Sequence, residues 1–190
     1  MKLVLASRNV HKATELEQLL SPHLVRPLSD EIVLPPETGT TFRENALIKA
    51  RAAALAITDD SLVVGDDSGI EAAALGGRPG VYSARFAGPD ASDGENLAKL
   101  LAEAPAGSAL AYVCVLALID PRSGEEQLFE GRCTGVLAAT PRGSGGFGYD
   151  PAFVPDDYED GRTMAELSPP EKHSISHRGR AAKALLAALG

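Results

Sequence analysis

The chain has 190 residues, 44% of them hydrophobic and 23% charged. This supports one core in a single domain, with room for two lobes, and excludes wholesale disorder. The net charge of −8, with no block of consecutive basic residues, argues against a nucleic-acid polymer as partner, since that needs many phosphate contacts; one small phosphorylated ligand stays possible.

The apolar run after Met1 stops at Ser7. It is too short for a signal-peptide core or a membrane span. Cys114 and Cys133 lie among apolar residues without metal-ligand spacing. They read as buried free thiols, and the protein as soluble and cytoplasmic.

Residues 2–6 form a first strand. Ser7-Arg8-Asn9 breaks it, and Val10, Ala13, Leu16 and Leu19 recur at helical spacing, predicting a helix over about 9–20. Ser7 or Asn9 would cap it. Its N-terminus, with Asn9 and Lys12, suits an anion such as phosphate, or is an ordinary capped helix. Residues 24–28 suggest a short strand, and 29–39 a loop. Thr41-Phe42-Arg43-Glu44 matches a capping box opening an alanine-rich helix over 42–57. Glu44 therefore has two candidate roles, cap or metal ligand.

Residues 61–65 read as a strand that delivers Asp66-Asp67-Ser68-Gly69 at its end. Two adjacent carboxylates there suit a hard cation, and the same four residues also suit a polar turn. Ile70–Leu75 suggests another short strand, Gly76–Gly80 a turn, and Val81–Phe86 a loop or short helix. Ser92–Ala104 reads as a helix stopped by Pro105. Residues 109–119 and 125–138 read as a long hairpin around Pro121–Gly124.

Gly143–Pro151 sets Phe147 and Tyr149 among four glycines. Such a loop can stack an aromatic on a planar base, or can be a surface loop pinned by its rings. Thr163–Leu167 reads as a helical turn, and Ser168-Pro169-Pro170-Glu171 as a second capping box. A last helix covers 176–189. Lys172, His177 and Arg178 gather at its start, where positive charge is unfavourable. A bound anion would explain them; a solvated linker is the alternative. Alternating β and α elements with a long hairpin predict an α/β protein with a mixed sheet.

An anion-binding helix start, a carboxylate pair, an aromatic glycine-rich loop and a basic cluster together suit a nucleoside triphosphate with Mg²⁺. No nucleophile elbow is present, so a metal-positioned water with an aspartate base is the favoured chemistry. A binding module without turnover is the alternative from another class.

Ser7–Lys12, Phe42–Ala46 with Lys49-Ala50, Asp66–Gly69, Pro79–Arg85, Gly145–Pro151 and Ser176–Gly179 resemble, in order, the motifs of the inosine/xanthosine triphosphate pyrophosphatase family, also called Ham1-like. In the related Maf-like group, a Ser-Pro-Arg-Arg pattern would be expected where Asn9 and Lys12 stand. The resemblance implies Mg²⁺-dependent hydrolysis of inosine, deoxyinosine and xanthosine triphosphates to the monophosphate and pyrophosphate. It also implies a homodimer, an elongated mixed sheet flanked by helices, and two lobes with an active-site cleft between them.

By position, the resemblance makes Asp67 the proton acceptor and a metal ligand, with Glu44 as second ligand. Ser7, Arg8, Asn9, Val10, His11 and Lys12 would bind the triphosphate, with Lys49 as a further phosphate contact and Ser68 touching substrate. Phe147, Gly148, Tyr149 and Asp150 would enclose the base. Lys172 would complete the site, and His177 and Arg178 would read the 6-oxo group. Asp66 is left open between metal ligand and outer contact.

Overall fold

The computed structural model describes residues 1–190. β1 (Lys2–Ala6) is the apolar N-terminal run, buried after Lys2. It pairs in parallel with β2 (Leu24–Pro27) on one side and β3 (Leu62–Ala72) on the other. Parallel neighbours need crossover connections. α1 (Val10–Leu19) lies in the first, and α2 (Phe42–Ala54) in the second. β4 (Ala109–Ile119) and β5 (Glu126–Leu137) follow α3 (Asp93–Glu103), and β6 (Phe153–Pro155) pairs antiparallel with β5. The sheet order is β2-β1-β3-β4-β5-β6, so the sheet is mixed, as expected. α4 (Pro169–Ile175) and α5 (His177–Leu189) close the chain.

Residue patterns explain the central strands. β4 is a continuous apolar run, buried from Tyr112 onward, as a strand covered on both faces requires. β5 alternates buried and exposed residues over its second half, which suits one covered face. β6 is missing from the sequence reading because three residues cannot display a period. Val81–Phe86 resolves as a 3-10 helix over Gly80–Arg85.

One expectation is corrected. Asp66–Gly69 is neither a turn nor a strand end. β3 runs unbroken through it for 11 residues, and the short strand expected at Ile70–Leu75 splits into the end of β3 and a 3-10 turn, Ala73–Leu75. Gly69 has no left-handed φ. Local turn preference loses here because ion pairs and hydrogen bonds satisfy the buried carboxylates inside a strand. The pairing with β1 does end at Ala6↔Gly65. Both carboxylates thus lie just past the carboxyl end of a parallel neighbour, where α/β sheets bind ligands.

The chain divides into two compact units. The first comprises Met1–Asp67, Cys114–Gly131 and Arg178–Gly190; the second comprises Ser68–Val113 and Arg132–His177. In the first, Leu3, Leu5, Leu16, Val64, Leu116 and Leu185 form a fully or nearly fully buried core. In the second, Ile70, Leu100, Tyr112, Phe153 and Met164 do so. Both cysteines are free and buried, as expected. No helix is long and apolar enough to cross a membrane.

Gly65 sets the packing of α2 on β3. A Cβ at Gly65 would stand 2.2 Å from the Ala46 carbonyl oxygen and 2.9 Å from Ala50 Cβ. Ala46, Ala50 and Ala53 are fully buried along the same helix face. Small residues on both elements bring the backbones together. Gly65→Ala should therefore cost about 3 kcal/mol, the upper part of the range for overpacking. Chemical denaturation would measure it; a loss under about 1 kcal/mol would mean that α2 recedes freely.

Candidate functional site

Adjacent residues of a strand point to opposite faces. Asp66 and Asp67 are therefore directed into different surroundings, although both are buried. Asp67 shares the face of Gly65, two residues earlier, and so meets α2. Asn45 and Lys49, four residues apart on that helix, lie on one side of it. Asn45 Nδ2 donates to Asp67 Oδ2 at 3.2 Å, and Lys49 Nζ stands 3.3 Å from Asp67 Oδ1. Lys49 also meets Glu37 Oε1 at 2.5 Å.

Burial pushes the Asp67 carboxyl above its ordinary value, against the opposing pull of Lys49 and Lys12. Burial also acts to lower the Lys49 ammonium, but Asp67, Asp66 and Glu37 together hold it above its usual value. One cation faces several carboxylates, and Asp67 shares it with Glu37. A carboxylate with raised proton affinity suits a general base.

Asp66 points the other way. Lys12 Nζ stands 2.7 Å from its Oδ2, Arg178 Nε 3.9 Å from its Oδ1, and Cys114 Sγ donates to Oδ1 at 3.3 Å. Burial alone would raise this carboxyl, but Lys12, Arg178 and Lys49 outweigh it and hold it well below the usual range. Arg178 is itself buried and also hydrogen-bonds Glu15 of α1.

The structure decides between the two cap candidates at the α1 start. Asn9 is the cap, and its Oδ1 accepts from the Lys12 N–H at 3.1 Å. Val10 is 74% exposed and His11 is also exposed. The Arg8 guanidinium is engaged elsewhere in the unit. It donates to the carbonyl oxygens of Leu28, Ser29 and Ile32 and to Asp30, tying down the loop after β2.

The second unit holds the other predicted cluster. Asp150 is buried, and its Oδ2 accepts from the Phe147 N–H at 2.9 Å and from Lys172 Nζ at 2.8 Å. The Lys172 ammonium lies 5.1 Å from the Phe147 ring centroid, a cation–π contact. Gly146 has φ +70°, and a Cβ there would come within 2.0 Å of Asp150 Oδ2. Glycine thus permits the loop to fold onto this carboxylate. Gly148 N–H donates to Asp93 Oδ2 at 2.8 Å, and the Tyr149 hydroxyl to the Ser83 carbonyl at 2.7 Å. Tyr149 and Asp150 are buried, whereas Phe147, Gly148 and Ser68 are half-buried. His177 is buried with its ring stacked on Tyr112, centroids 4.5 Å apart.

Lys172 and Arg178 are therefore buried cations met by Asp150, Glu15 and Asp66, and do not form a solvated linker. Glu44 closes the predicted capping box: its Oε2 accepts from Thr40 N, Thr40 Oγ1 and Thr41 N at 2.6, 2.9 and 3.0 Å. Sequence reasoning missed Glu37, Asn45, Glu15 and Tyr112. Glu37 lies in an aperiodic loop. Asn45 falls within the Phe42–Ala46 motif, and its spacing to Lys49 is the one available signal.

No group of three or more His, Cys, Asp or Glu side chains gathers around one point. Glu37 and Asp67 do converge on one cation, the Lys49 ammonium. That donor set fits a hard divalent ion that takes its remaining oxygens from water and substrate phosphate.

A family model described as "Ham1 family" matches residues 3–188. A dITP/XTP pyrophosphatase of Mycobacterium bovis is 48% identical, over 99% of this chain and 95% of that protein. The solved structure of a HAM1 protein from Coxiella burnetii superposes with a TM-score of 0.86 at 39% identity, covering 100% of this chain and 98% of that one. A structure from Mycobacterium abscessus named nucleoside-triphosphatase / dITP/XTP pyrophosphatase has a TM-score of 0.75 at 46% identity, covering 98% and 99%.

Asp66→Asn would remove the buried countercharge of Lys12 and one of the two carboxylates that meet Arg178, which keeps Glu15. We expect a loss of about 3–5 kcal/mol at pH 7. The sign of the pH effect follows from the depressed folded value. The carboxylate stabilises the fold fully above its ordinary value of 3.8, and the benefit fades as the pH falls below it toward the folded value. Denaturation at pH 7 and pH 3 should show the gap between wild type and variant shrinking in acid.

Proposed function

The chain belongs to the Ham1 family, and on that basis we propose that it hydrolyses non-canonical purine nucleoside triphosphates to the monophosphate and pyrophosphate. Deoxyinosine, inosine and xanthosine triphosphates are the substrates meant. The carrying observation is Asp67, a buried carboxylate of raised proton affinity held by Asn45 and Lys49. The names of the relatives support the substrate class.

In this reading Asp67 accepts a proton from the water that attacks the α-phosphorus. The bond from that phosphorus to the bridging oxygen breaks, and pyrophosphate leaves with the electron pair. Phosphoryl transfer needs mainly positioning and charge neutralisation. The N-terminal end of α1, with Ser7, Asn9 and Lys12, holds phosphate oxygens. Val10 and His11 contribute through the backbone there, and Arg8 acts by fixing the neighbouring loop. Lys49 takes a further phosphate oxygen, and Ser68 touches the substrate.

Mg²⁺, when bound, offsets phosphate charge and lowers the pKa of a coordinated water. Asp67 would hold it, with Glu37 supported by their shared cation. Glu44, the ligand expected from the motif resemblance, would have to serve while capping α2.

Phe147 stacks on the base, with Gly148 beside it. Tyr149, Asp150 and Lys172 shape that loop. His177 and Arg178 supply donors for a 6-oxo group. Adenine offers an amine at that position and would leave a buried donor unpaired, which is costly. We further propose a homodimer, which rests on the family resemblance, and a cytoplasmic location, which the two buried free thiols support.

A pyrophosphate-release panel over common and deaminated nucleoside triphosphates with Mg²⁺ tests this reading. Release should be greatest with the deaminated purines. Binding without release would favour a non-catalytic module. Asp67→Asn should lower kcat by about 10³-fold, as loss of a general base does, with the fold retained by circular dichroism. Phe147→Ala should raise KM about tenfold, the worth of one stacked base.

A further inference from the structure

Tyr112 lies on β4 and belongs to none of the motifs. It nevertheless touches two groups of the second unit on which the proposed base recognition depends. Its hydroxyl donates to Asp150 Oδ1 at 3.0 Å. One ring face stacks on His177, with centroids 4.5 Å apart and planes 9° from parallel. The ring also packs on Phe153, at 4.6 Å and 31°.

The two contacts have different consequences. Asp150 has two oxygens, and Oδ2 alone ties the Phe147 N–H and the Lys172 ammonium. A carboxylate held by one oxygen can rotate about its side-chain bonds. The Tyr112 hydroxyl on Oδ1 removes that freedom, so Oδ2 keeps its aim at the Phe147 loop. The stacked ring has another effect, fixing the plane of the His177 imidazole and hence the direction in which its ring nitrogens point. Tyr112 is 6% exposed and sits in a strand, so it is a rigid support for both.

We propose that Tyr112 is a specificity-positioning residue. Its hydroxyl holds the Phe147 loop through Asp150, and its ring aims His177 at the 6-position of the purine. This rests on the reading of Phe147 and His177 as base contacts given above. The two functions can be separated by substitution. Tyr112→Phe keeps the ring and removes the hydroxyl. Tyr112→Leu removes both.

The test compares both variants with wild type on dITP and dATP, using kcat and KM separately, and measures binding of inosine monophosphate by calorimetry. Tyr112→Phe should raise KM for dITP and weaken inosine monophosphate binding about tenfold, with kcat within about twofold and the dITP:dATP preference kept. Tyr112→Leu should in addition lower that preference about tenfold or more. A merely structural role would lower Tm and the active fraction without splitting KM from kcat, and Tyr112→Phe would then restore every property. That result, or wild-type KM and preference in both variants, overturns the proposal while leaving the proposed function intact. A wild-type protein that neither hydrolyses dITP nor binds inosine monophosphate overturns both.

Discussion

The alternation of side chains along β3 governs the chemistry of the first unit. Adjacent aspartates on a turn would repel each other in one patch of solvent. Within a buried strand they are separated onto two faces, and each meets its own cations. Asp66 meets Lys12 and Arg178, which keep it ionised despite complete burial. Asp67 meets Lys49, shared with Glu37, and burial leaves it with a raised proton affinity. One dipeptide thus supplies a fixed countercharge and a candidate base. Backbone geometry makes the difference, because the side chains are identical.

That separation relies on close packing. Gly65 lets α2 approach until Asn45 and Lys49 reach Asp67. On the other face, Lys12 reaches Asp66 from α1, and Arg178 reaches it from α5. Buried charges are costly unless paired, so these side chains constrain the helices as much as the helices position them. The same logic recurs in the second unit around Asp150. Its carboxylate gathers Phe147, Lys172 and Tyr112, converting a glycine-rich segment into an ordered loop.

Much of the fold is legible in the sequence. Helices announced themselves through spacing and caps: Asn9, Thr41 with Glu44, and Ser168 with Glu171 all cap as their positions suggest. The long apolar run of β4 and the alternation of β5 named their own surroundings. The order of short motifs along nearly the whole chain indicated the family, and the family model covers residues 3–188. Local chemistry suffices for such features, because caps and periods involve residues within a few positions of one another.

Other features required the tertiary structure. Asp-Asp-Ser-Gly has the composition of a turn, and only pairing and buried partners keep it in a strand. Glu37 stands in an aperiodic loop, Glu15 on an ordinary helix face, and Tyr112 in an apolar run, so none carries a local mark of its role. Each gains that role from a partner distant in sequence: Glu37 from Lys49 and, through it, Asp67; Glu15 from Arg178; Tyr112 from Asp150 and His177. Residue order alone carried most of the helices, their caps, the hairpin strands β4 and β5, and the family. The assignment of each buried charge to a partner was decided by the fold, because Coulomb and hydrogen-bond energies depend on distances that folding alone sets.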